Sequence, residues 1–189
     1  MASAFIRKNA RRYGVQKNKV CVMGFSAGGH LAGMLSTMFA DDCLRVLGKD
    51  LALVRPDAAV LCYPVITTER GLTHEGTAQV ISGGDEALRE RLSIERRVAK
   101  DSVPVFAWHT VTDDLVPVES SLRLANAYRE QGVPFELHLF EQGVHGLSLA
   151  NEEVSEDRRS PLYNENVQSW VPLALRWLRL RGFHIHAEV

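Results

Sequence analysis

Short apolar runs recur along the chain, separated by longer stretches in which apolar residues follow a helical spacing. Four runs rich in β-branched or aromatic residues predict strands at 19–25, 57–65, 104–109 and 134–141. Between the last two strands, residues 119–131 predict a helix that ends at Gly132, because glycine readily adopts the left-handed conformation at a helix C-terminus. Strands that alternate with helices predict an α/β fold with a mostly parallel sheet flanked by helices.

Three further helices are predicted by apolar side chains that recur at helical spacing. They comprise an N-terminal helix (Phe5, Ile6, Ala10 and Tyr13), one at 27–40 (Leu31, Leu35 and Met38) and a C-terminal one (Val167, Trp170, Val171, Ala174, Leu175 and Leu178). Residues 66–103 interrupt the alternation, with a helix predicted at 87–100, and we expect this stretch to be a lid-like excursion over a site. Because no repeat or linker divides the sequence, we expect residues 1–189 to form a single domain.

Composition and charge narrow the classes of partner. The 189 residues are 46% hydrophobic and 24% charged, as in one ordinary globular domain, and the net charge of −1 gives no overall attraction to nucleic acid. No apolar run approaches the roughly 18 residues that a membrane helix requires. We therefore expect neither nucleic acid nor a membrane as a partner.

The charge is unevenly distributed along the chain. Residues 1–40 contain no acidic residue and six basic ones, leaving 16 basic and 23 acidic residues in the remainder. Because apolar residues at helical spacing accompany these cations, we interpret the cations as the solvated face of a helix rather than as a targeting signal. The six are Arg7, Lys8, Arg11, Arg12, Lys17 and Lys19.

The cysteines and histidines give no sign of a disulfide framework or a metal site. Cys21, Cys43 and Cys62 form no C-x-x-C pair, which favours a reducing compartment and a cytoplasmic location. His74 and Glu75 lack the second histidine of the H-E-x-x-H zinc motif, because Ala78 stands in its place. Neither a P-loop nor a G-x-G-x-x-G motif occurs, so the sequence lacks the usual phosphate-binding loops.

The residues Gly24-Phe25-Ser26-Ala27-Gly28 match the G-x-S-x-G motif, between a predicted strand and a predicted helix. That setting is typical of a nucleophile elbow, where a strained turn exposes the serine and close packing requires flanking glycines. Ser26 is then the nucleophile, and the backbone N–H of Ala27 is one donor to a tetrahedral oxyanion. The alternative is that Ser26 is only the N-cap of the helix that follows.

A serine hydroxyl needs a base, and the base needs an orienting acid. His145 lies in a glycine-flanked loop directly after the fourth strand, which favours it over His138 inside that strand and over two histidines in the C-terminal tail, His184 and His186. Asp113 and Asp114 both follow the third strand. The residues alone leave the choice between these two acids open.

Three stretches carry a family resemblance: KVCVMGFSAGGHLAGML, VFAWHTVTDDLVPVESS and FEQGVHGLSLA. In this order they resemble the α/β-hydrolase superfamily, and within it the esterase and lipase group that includes acetyl xylan esterase-like proteins. The acid of these enzymes stands three residues before the valine of a Val-Pro pair, which here is Asp113. The resemblance implies Ser26 as nucleophile, His145 as general base and acid, and Asp113 as the residue that orients the imidazole.

The resemblance also implies hydrolysis of small carboxylic esters through an acyl-enzyme, without metal or organic cofactor. Side chains near the predicted strand ends are candidate substrate contacts, with burial in the core as the alternative. We name Phe25, Tyr63, Trp108 and Val144 as these candidates.

The chain departs from this group before Ser26. Members carry further N-terminal strands and an H-G-G-type loop that completes the oxyanion hole, whereas the 25 residues that precede Ser26 contain no such loop. We therefore expect a truncated α/β-hydrolase fold whose elbow strand has an open edge. Such an edge favours pairing, so we expect a homo-oligomer or a fragment of a longer chain.

Three functions follow from these observations. The first is a serine esterase that acts on short-chain acyl esters, including acetylated sugars. The second is a catalytically impaired or non-catalytic hydrolase-fold module. The third is a serine peptidase of the prolyl oligopeptidase type, which shares the elbow and acid motifs but normally carries a large additional domain.

Overall fold

Four parallel strands form the centre of the fold. A computed structural model of the chain describes residues 2–39 and 51–185. Its sheet has the order β1-β2-β3-β4, with adjacent strands paired in parallel. The strands are β1 (Cys21–Phe25), β2 (Ala58–Cys62), β3 (Val105–Thr110) and β4 (Phe135–Phe140). The predicted α/β fold with a parallel sheet is confirmed.

Helices precede, connect and follow these strands. They are α1 (Ala2–Lys8), α2 (Ala10–Tyr13), α3 (Ala27–Thr37), α4 (Leu51–Val54), α5 (Glu75–Ser82), α6 (Glu86–Arg91), α7 (Glu119–Gln131) and α8 (Trp170–Leu180), with 3-10 turns at Ile94–Arg97 and Val167–Ser169. Gly132 ends α7 in the left-handed conformation at φ 67°, as the sequence predicts. The single helix predicted at 87–100 is wrong, because Leu92 ends α6 and Ser93 is extended before the first 3-10 turn.

Helices cover both faces of the sheet. On one face, Phe106 and Trp108 of β3 pack with Trp170 and Trp177 of α8. On the other face, Val105 and Ala107 pack with residues of α3 and α7. Because successive side chains of a strand point to opposite faces, the fully buried strands β2 and β3 contribute to both clusters.

The apolar spacing at 27–40 correctly predicts a helix, but its residues divide between core and surface: Met38, just after α3, is buried. Leu31 is 70% exposed, and the face that packs inward consists largely of small residues. A Cβ on Gly29 would lie 2.8 Å from the Cβ of Pro64, and one on Gly33 would lie 2.7 Å from Cδ1 of Ile94. The helix therefore approaches the segments beside it too closely for larger side chains.

The N-terminal segment also differs from its prediction. Asn9 separates α1 from α2. Phe5 is 56% exposed and Tyr13 is 50% exposed. Arg7, predicted to be solvated, is buried and pairs with Asp57 at 2.8 Å, because its guanidinium also binds backbone carbonyl oxygens. A buried charge is tolerated when such hydrogen bonds replace its water.

The two described cysteines are packed as small apolar residues, as the sequence predicts. Cys21 and Cys62 are free thiols, while Cys43 lies outside the described residues. Burial raises the pKa of Cys21 to about 12. No helix among residues 2–39 and 51–185 is both long and apolar enough to cross a membrane.

The turn between β1 and α3 depends on a glycine at one position of the G-x-S-x-G motif. A Cβ on Gly24 would lie 2.0 Å from the carbonyl oxygen of Gly28, whereas a Cβ on Gly28 would meet nothing within 4 Å. The prediction that close packing requires both flanking glycines is thus confirmed for Gly24 and wrong for Gly28. Gly29, one residue later, is the second position of close approach.

This difference predicts opposite effects of two glycine-to-alanine substitutions. We expect Gly24→Ala to lower the free energy of unfolding by about 2 kcal/mol or more, because strand or helix must move to relieve the collision. Gly28→Ala, inside α3, should raise it by up to about 1 kcal/mol, since alanine is the better helix former. Urea denaturation of the two variants checks this, and an equal effect of both would contradict it.

Candidate active site

The Ser26 backbone has the strain expected at a nucleophile elbow. Ser26 lies between β1 and α3 with φ 53° and ψ −119°, a conformation that residues other than glycine rarely adopt. Its N–H donates to the carbonyl oxygen of Cys62 at 3.0 Å, and its carbonyl oxygen accepts from the N–H of Val65 at 3.2 Å. These bonds to β2 and the segment after it hold the strained conformation in place.

The Ser26 hydroxyl contacts a histidine rather than capping α3. Its Oγ makes no capping hydrogen bond, which argues against the N-cap interpretation. It lies 2.8 Å from Nε2 of His145, and Nδ1 of His145 lies 2.8 Å from Oδ2 and 3.1 Å from Oδ1 of Asp113. The structure thus brings together the three residues that the sequence predicts, Ser26, His145 and Asp113.

The two adjacent aspartates contact different parts of His145. Asp113 accepts from the ring, whereas Oδ1 of Asp114 accepts from the backbone N–H of His145 at 3.0 Å. Asp114 therefore fixes the histidine loop and Asp113 fixes the imidazole. A proton on Nδ1 satisfies the Asp113 carboxylate and leaves the lone pair of Nε2 facing the serine hydroxyl.

Asp113 is an ionised carboxylate inside the protein. Burial raises its pKa, but hydrogen bonds from His109 and His145, and from the backbone N–H groups of Val116 and Leu115, outweigh this effect and hold the pKa well below its ordinary range. The carboxylate therefore remains charged at neutral and mildly acidic pH and can stabilise a cationic imidazole.

The loop that carries His145 is tied to the segment after β3. Gly143 donates its N–H to the hydroxyl of Thr112 at 2.9 Å, and its carbonyl oxygen accepts from the hydroxyl of Thr110 at 3.0 Å. A Cβ on Gly143 would lie 2.7 Å from Cγ2 of Thr110. These contacts and the Asp114 bond fix the loop backbone on both sides of Val144.

Aromatic packing supports the imidazole from the core. The Tyr63 ring lies edge-on to the His145 ring, with centroids 5.0 Å apart, and also contacts Trp108 and Phe25. The Tyr63 hydroxyl oxygen accepts from the N–H of Ser148 at 3.2 Å. Tyr63 therefore contacts both the ring and the loop of the histidine.

The four predicted substrate contacts divide between core and site. Trp108 is fully buried, so its prediction is wrong: its ring fills the core between β3 and α8 and offers no surface to a ligand. Tyr63 is 5% exposed and supports His145 instead. Phe25 and Val144 are partly buried beside the same cluster, and their contact with substrate stays a prediction.

The structure also places the predicted oxyanion donor and one residue that the sequence analysis missed. Ala27 is the first residue of α3, so its N–H has no acceptor within the helix. His109, inside β3, lies 3.3 Å from Asp113 through Nε2. A histidine in a fully buried strand requires polar partners, and this requirement could have singled it out. Among the described residues, no group of three or more His, Cys, Asp or Glu side chains is arranged so that it could hold a metal ion.

Comparisons with known proteins identify relatives of the chain. A family model described as the prolyl oligopeptidase family matches residues 3–164. The chain is 41% identical over 156 residues to endo-1,4-beta-xylanase B of Butyrivibrio fibrisolvens, and 30% identical over 150 residues to an acetylxylan esterase of Xylanibacter ruminicola. These alignments cover 80% and 76% of the chain but 24% and 29% of the two relatives.

Solved structures of esterases share the fold. The chain matches an acetyl ester-xyloside bifunctional hydrolase from Caldicellulosiruptor lactoaceticus with a TM-score of 0.78 and 36% identity, covering 96% of this chain and 64% of that one. It matches a carboxylesterase from Lactobacillus plantarum WCFS1 with a TM-score of 0.81 and 29% identity, covering 98% and 67%. The predicted resemblance to esterases of the α/β-hydrolase superfamily is confirmed, and the match over most of its length shows that the chain belongs to the prolyl oligopeptidase family.

Proposed function

We propose that the protein is a serine carboxylic-ester hydrolase that acts on short-chain acyl esters, including acetyl groups carried by sugars. One observation carries the proposal: the hydrogen-bonded chain from Ser26 through His145 to Asp113, which begins at a strained turn. The names of the relatives support the substrate class, since they include an acetylxylan esterase and an acetyl ester-xyloside hydrolase.

The reaction begins at Ser26. Its Oγ attacks the carbonyl carbon of the ester while Nε2 of His145, 2.8 Å away, takes the hydroxyl proton. The negative charge that develops on the carbonyl oxygen is stabilised by the N–H of Ala27. The imidazolium formed on His145 is stabilised by the ionised Asp113.

The second half of the reaction reverses these proton transfers. The tetrahedral intermediate collapses, the C–O bond to the alcohol breaks, and His145 returns its proton to the departing oxygen, leaving Ser26 acylated. Water then enters and loses a proton to His145 as its oxygen attacks the acyl carbon. The second tetrahedral intermediate collapses, the bond between Oγ of Ser26 and the acyl carbon breaks, and His145 returns its proton to Oγ as the carboxylic acid leaves.

Two other functions make different predictions. A serine peptidase is favoured by the family match alone and would cleave peptide anilides, whereas an esterase cleaves aryl esters and leaves anilides intact. A non-catalytic module would cleave neither. The contact between Ser26 and His145 is the observation that argues against the non-catalytic module.

Ester and anilide substrates separate these functions. We expect hydrolysis of p-nitrophenyl acetate by the wild type, and a fall of about 10⁴-fold or more in kcat for Ser26→Ala, because the acyl-enzyme can no longer form. Gly-Pro p-nitroanilide should remain uncleaved. Equal ester hydrolysis by the wild type and Ser26→Ala would rule out catalysis by Ser26.

Substitutions of the two adjacent aspartates should have different effects on catalysis. Asp113→Asn should lower kcat by about 10⁴-fold, because a neutral amide neither holds the required imidazole tautomer nor stabilises the imidazolium. Asp114→Asn keeps an oxygen that accepts the His145 N–H, so we expect a loss of at most about 10-fold. Steady-state kinetics of the pair measures this, and equal losses would contradict the assignment of the acid.

Strand β1 pairs with β2 and, within residues 2–39 and 51–185, has no strand on its other side. We propose that this open edge pairs with further polypeptide, from a second copy or from a longer chain. We expect the 189-residue chain to form a dimer or larger assembly, or to be a weak esterase as a monomer, since loss of one oxyanion donor typically costs about 10² to 10³ in rate. Multi-angle light scattering with parallel assays tests this, and a monodisperse monomer with full activity would contradict it.

A further inference from the structure

His109 links the acid of the site to the helix layer. It lies on β3, its side chain is fully buried, and both ring nitrogens have partners. Nε2 lies 3.0 Å from the carbonyl oxygen of Val116 and 3.3 Å from Oδ2 of Asp113, and Nδ1 lies 2.8 Å from the hydroxyl oxygen of Ser121 on α7.

The surrounding groups determine where the ring carries its proton. A carbonyl oxygen and a carboxylate oxygen both face Nε2, and neither can donate, so Nε2 must carry a hydrogen. In the neutral ring Nδ1 is then an acceptor, and the Ser121 hydroxyl supplies its hydrogen. Ser121 is itself fully buried, so no water competes for this bond.

With His109 in place, each oxygen of the buried Asp113 carboxylate has at least two neighbouring donors. Oδ1 accepts from the N–H groups of Leu115 and Val116 at 3.0 and 2.9 Å. Oδ2 faces the rings of His145 and His109. Without His109, Oδ2 would have His145 as its one ring donor, and the orientation of the carboxylate would be less constrained on the side that faces His145.

The contacts of His109 also close a ring with the turn after β3. Val116 donates its N–H to Asp113, while its carbonyl oxygen accepts from His109. One histidine therefore holds both the carboxylate and the turn that carries it. Its own position is fixed by the strand on one side and by Ser121 on the other.

We propose that His109 is a positioning residue of the active site: it holds the Asp113 carboxylate in place and aimed at Nδ1 of His145, and Ser121 fixes the His109 tautomer that does so. This inference rests on the proposed function for its effect on catalysis. Its effect on Asp113 is independent of catalysis.

The carboxyl ¹³C signal of Asp113 reports this effect directly when followed by NMR against pH. The titratable groups that face it are His109 from β3, His145 from the loop after β4 and Tyr63 from the segment after β2, with Asp114 next to it in sequence. We expect His109→Leu to raise the pKa of Asp113 toward its ordinary range, because a donor to the charged form is lost. His109→Gln, which keeps an N–H at the end of its side chain, should restore most of the low value.

A matched control is available on the neighbouring strand. His138 of β4 is partly exposed and pairs with Glu136, so His138→Leu changes the same residue type without touching Asp113. It should leave the Asp113 titration unchanged. An unchanged titration in His109→Leu, or the same change in both leucine variants, would overturn the proposal.

Kinetics tests the catalytic consequence. For p-nitrophenyl acetate, His109→Leu should lower kcat by roughly 10- to 100-fold with little change in KM, the range expected for loss of one hydrogen bond to a charged group. His109→Gln should recover most of this loss. Equal losses in the leucine and glutamine variants would show that His109 acts through packing alone and would contradict the proposal.

Two further outcomes are distinguished: a His109 variant that does not fold, and a failure of the proposed function. If His109→Leu does not fold, Ser121→Ala tests the same contact: it leaves the strand intact, removes the bond to Nδ1 and should raise the pKa of Asp113 by a smaller amount in the same direction. An unaltered pKa would contradict the role given to Ser121. If the wild type and Ser26→Ala hydrolyse the ester equally, the proposed function fails, whereas the Asp113 titration still decides whether His109 holds the carboxylate.

Discussion

The site depends on the hydrogen bonds that hold the buried carboxylate of Asp113. A charge without solvent is costly unless hydrogen bonds replace the water, and here they come from three parts of the chain: its own turn, β3 and the loop after β4. All of these donors reach the carboxylate only when the three parts of the chain adopt one arrangement. The same arrangement leaves Nε2 of His145 at 2.8 Å from the Ser26 hydroxyl.

The parallel sheet makes this arrangement possible. Ser26, Asp113 and His145 follow the carboxyl ends of β1, β3 and β4, which lie at one edge because all neighbouring strands run in the same direction. Between β1 and β3, the segment after β2 contributes Tyr63, whose ring packs on His145. The core cluster that contains Trp108 and Trp170 continues beneath it, so the imidazole rests on rigid aromatic packing rather than on a free loop.

Much of this could be predicted because it depends on local patterns. Four apolar runs gave the sheet, and the serine turn and the histidine loop carry short motifs whose glycines reflect backbone constraints. The residues alone left Asp113 and Asp114 open and the family resemblance implied Asp113, but the role of Asp114 needed tertiary contacts, because only the fold shows that it binds the backbone of His145. His109 was missed for a related reason: periodicity places it in a strand but does not reveal its partners on α7.

The wrong predictions share a physical cause. Leu31 and Tyr13 stand at apolar positions of helical spacing yet are exposed, since α3 packs through small residues and the N-terminal segment buries the cation Arg7. Close approach and ion pairing are not encoded in a hydrophobic pattern. Trp108 was placed at a substrate pocket from its position near a strand end, but the depth of a side chain depends on the helix that covers it, here α8.

The hydrogen-bonded chain through His145 to Asp113 makes Ser26 a nucleophile, and covalent labelling tests this most directly. An aryl phosphonate ester should react once per chain, release one aryl alcohol and leave its phosphonyl group on Ser26, as located by peptide mass spectrometry. Labelling should be lost in His145→Ala and strongly slowed in Asp113→Asn. Labelling at another residue, or labelling of Ser26 at the same rate in all three proteins, would contradict the account.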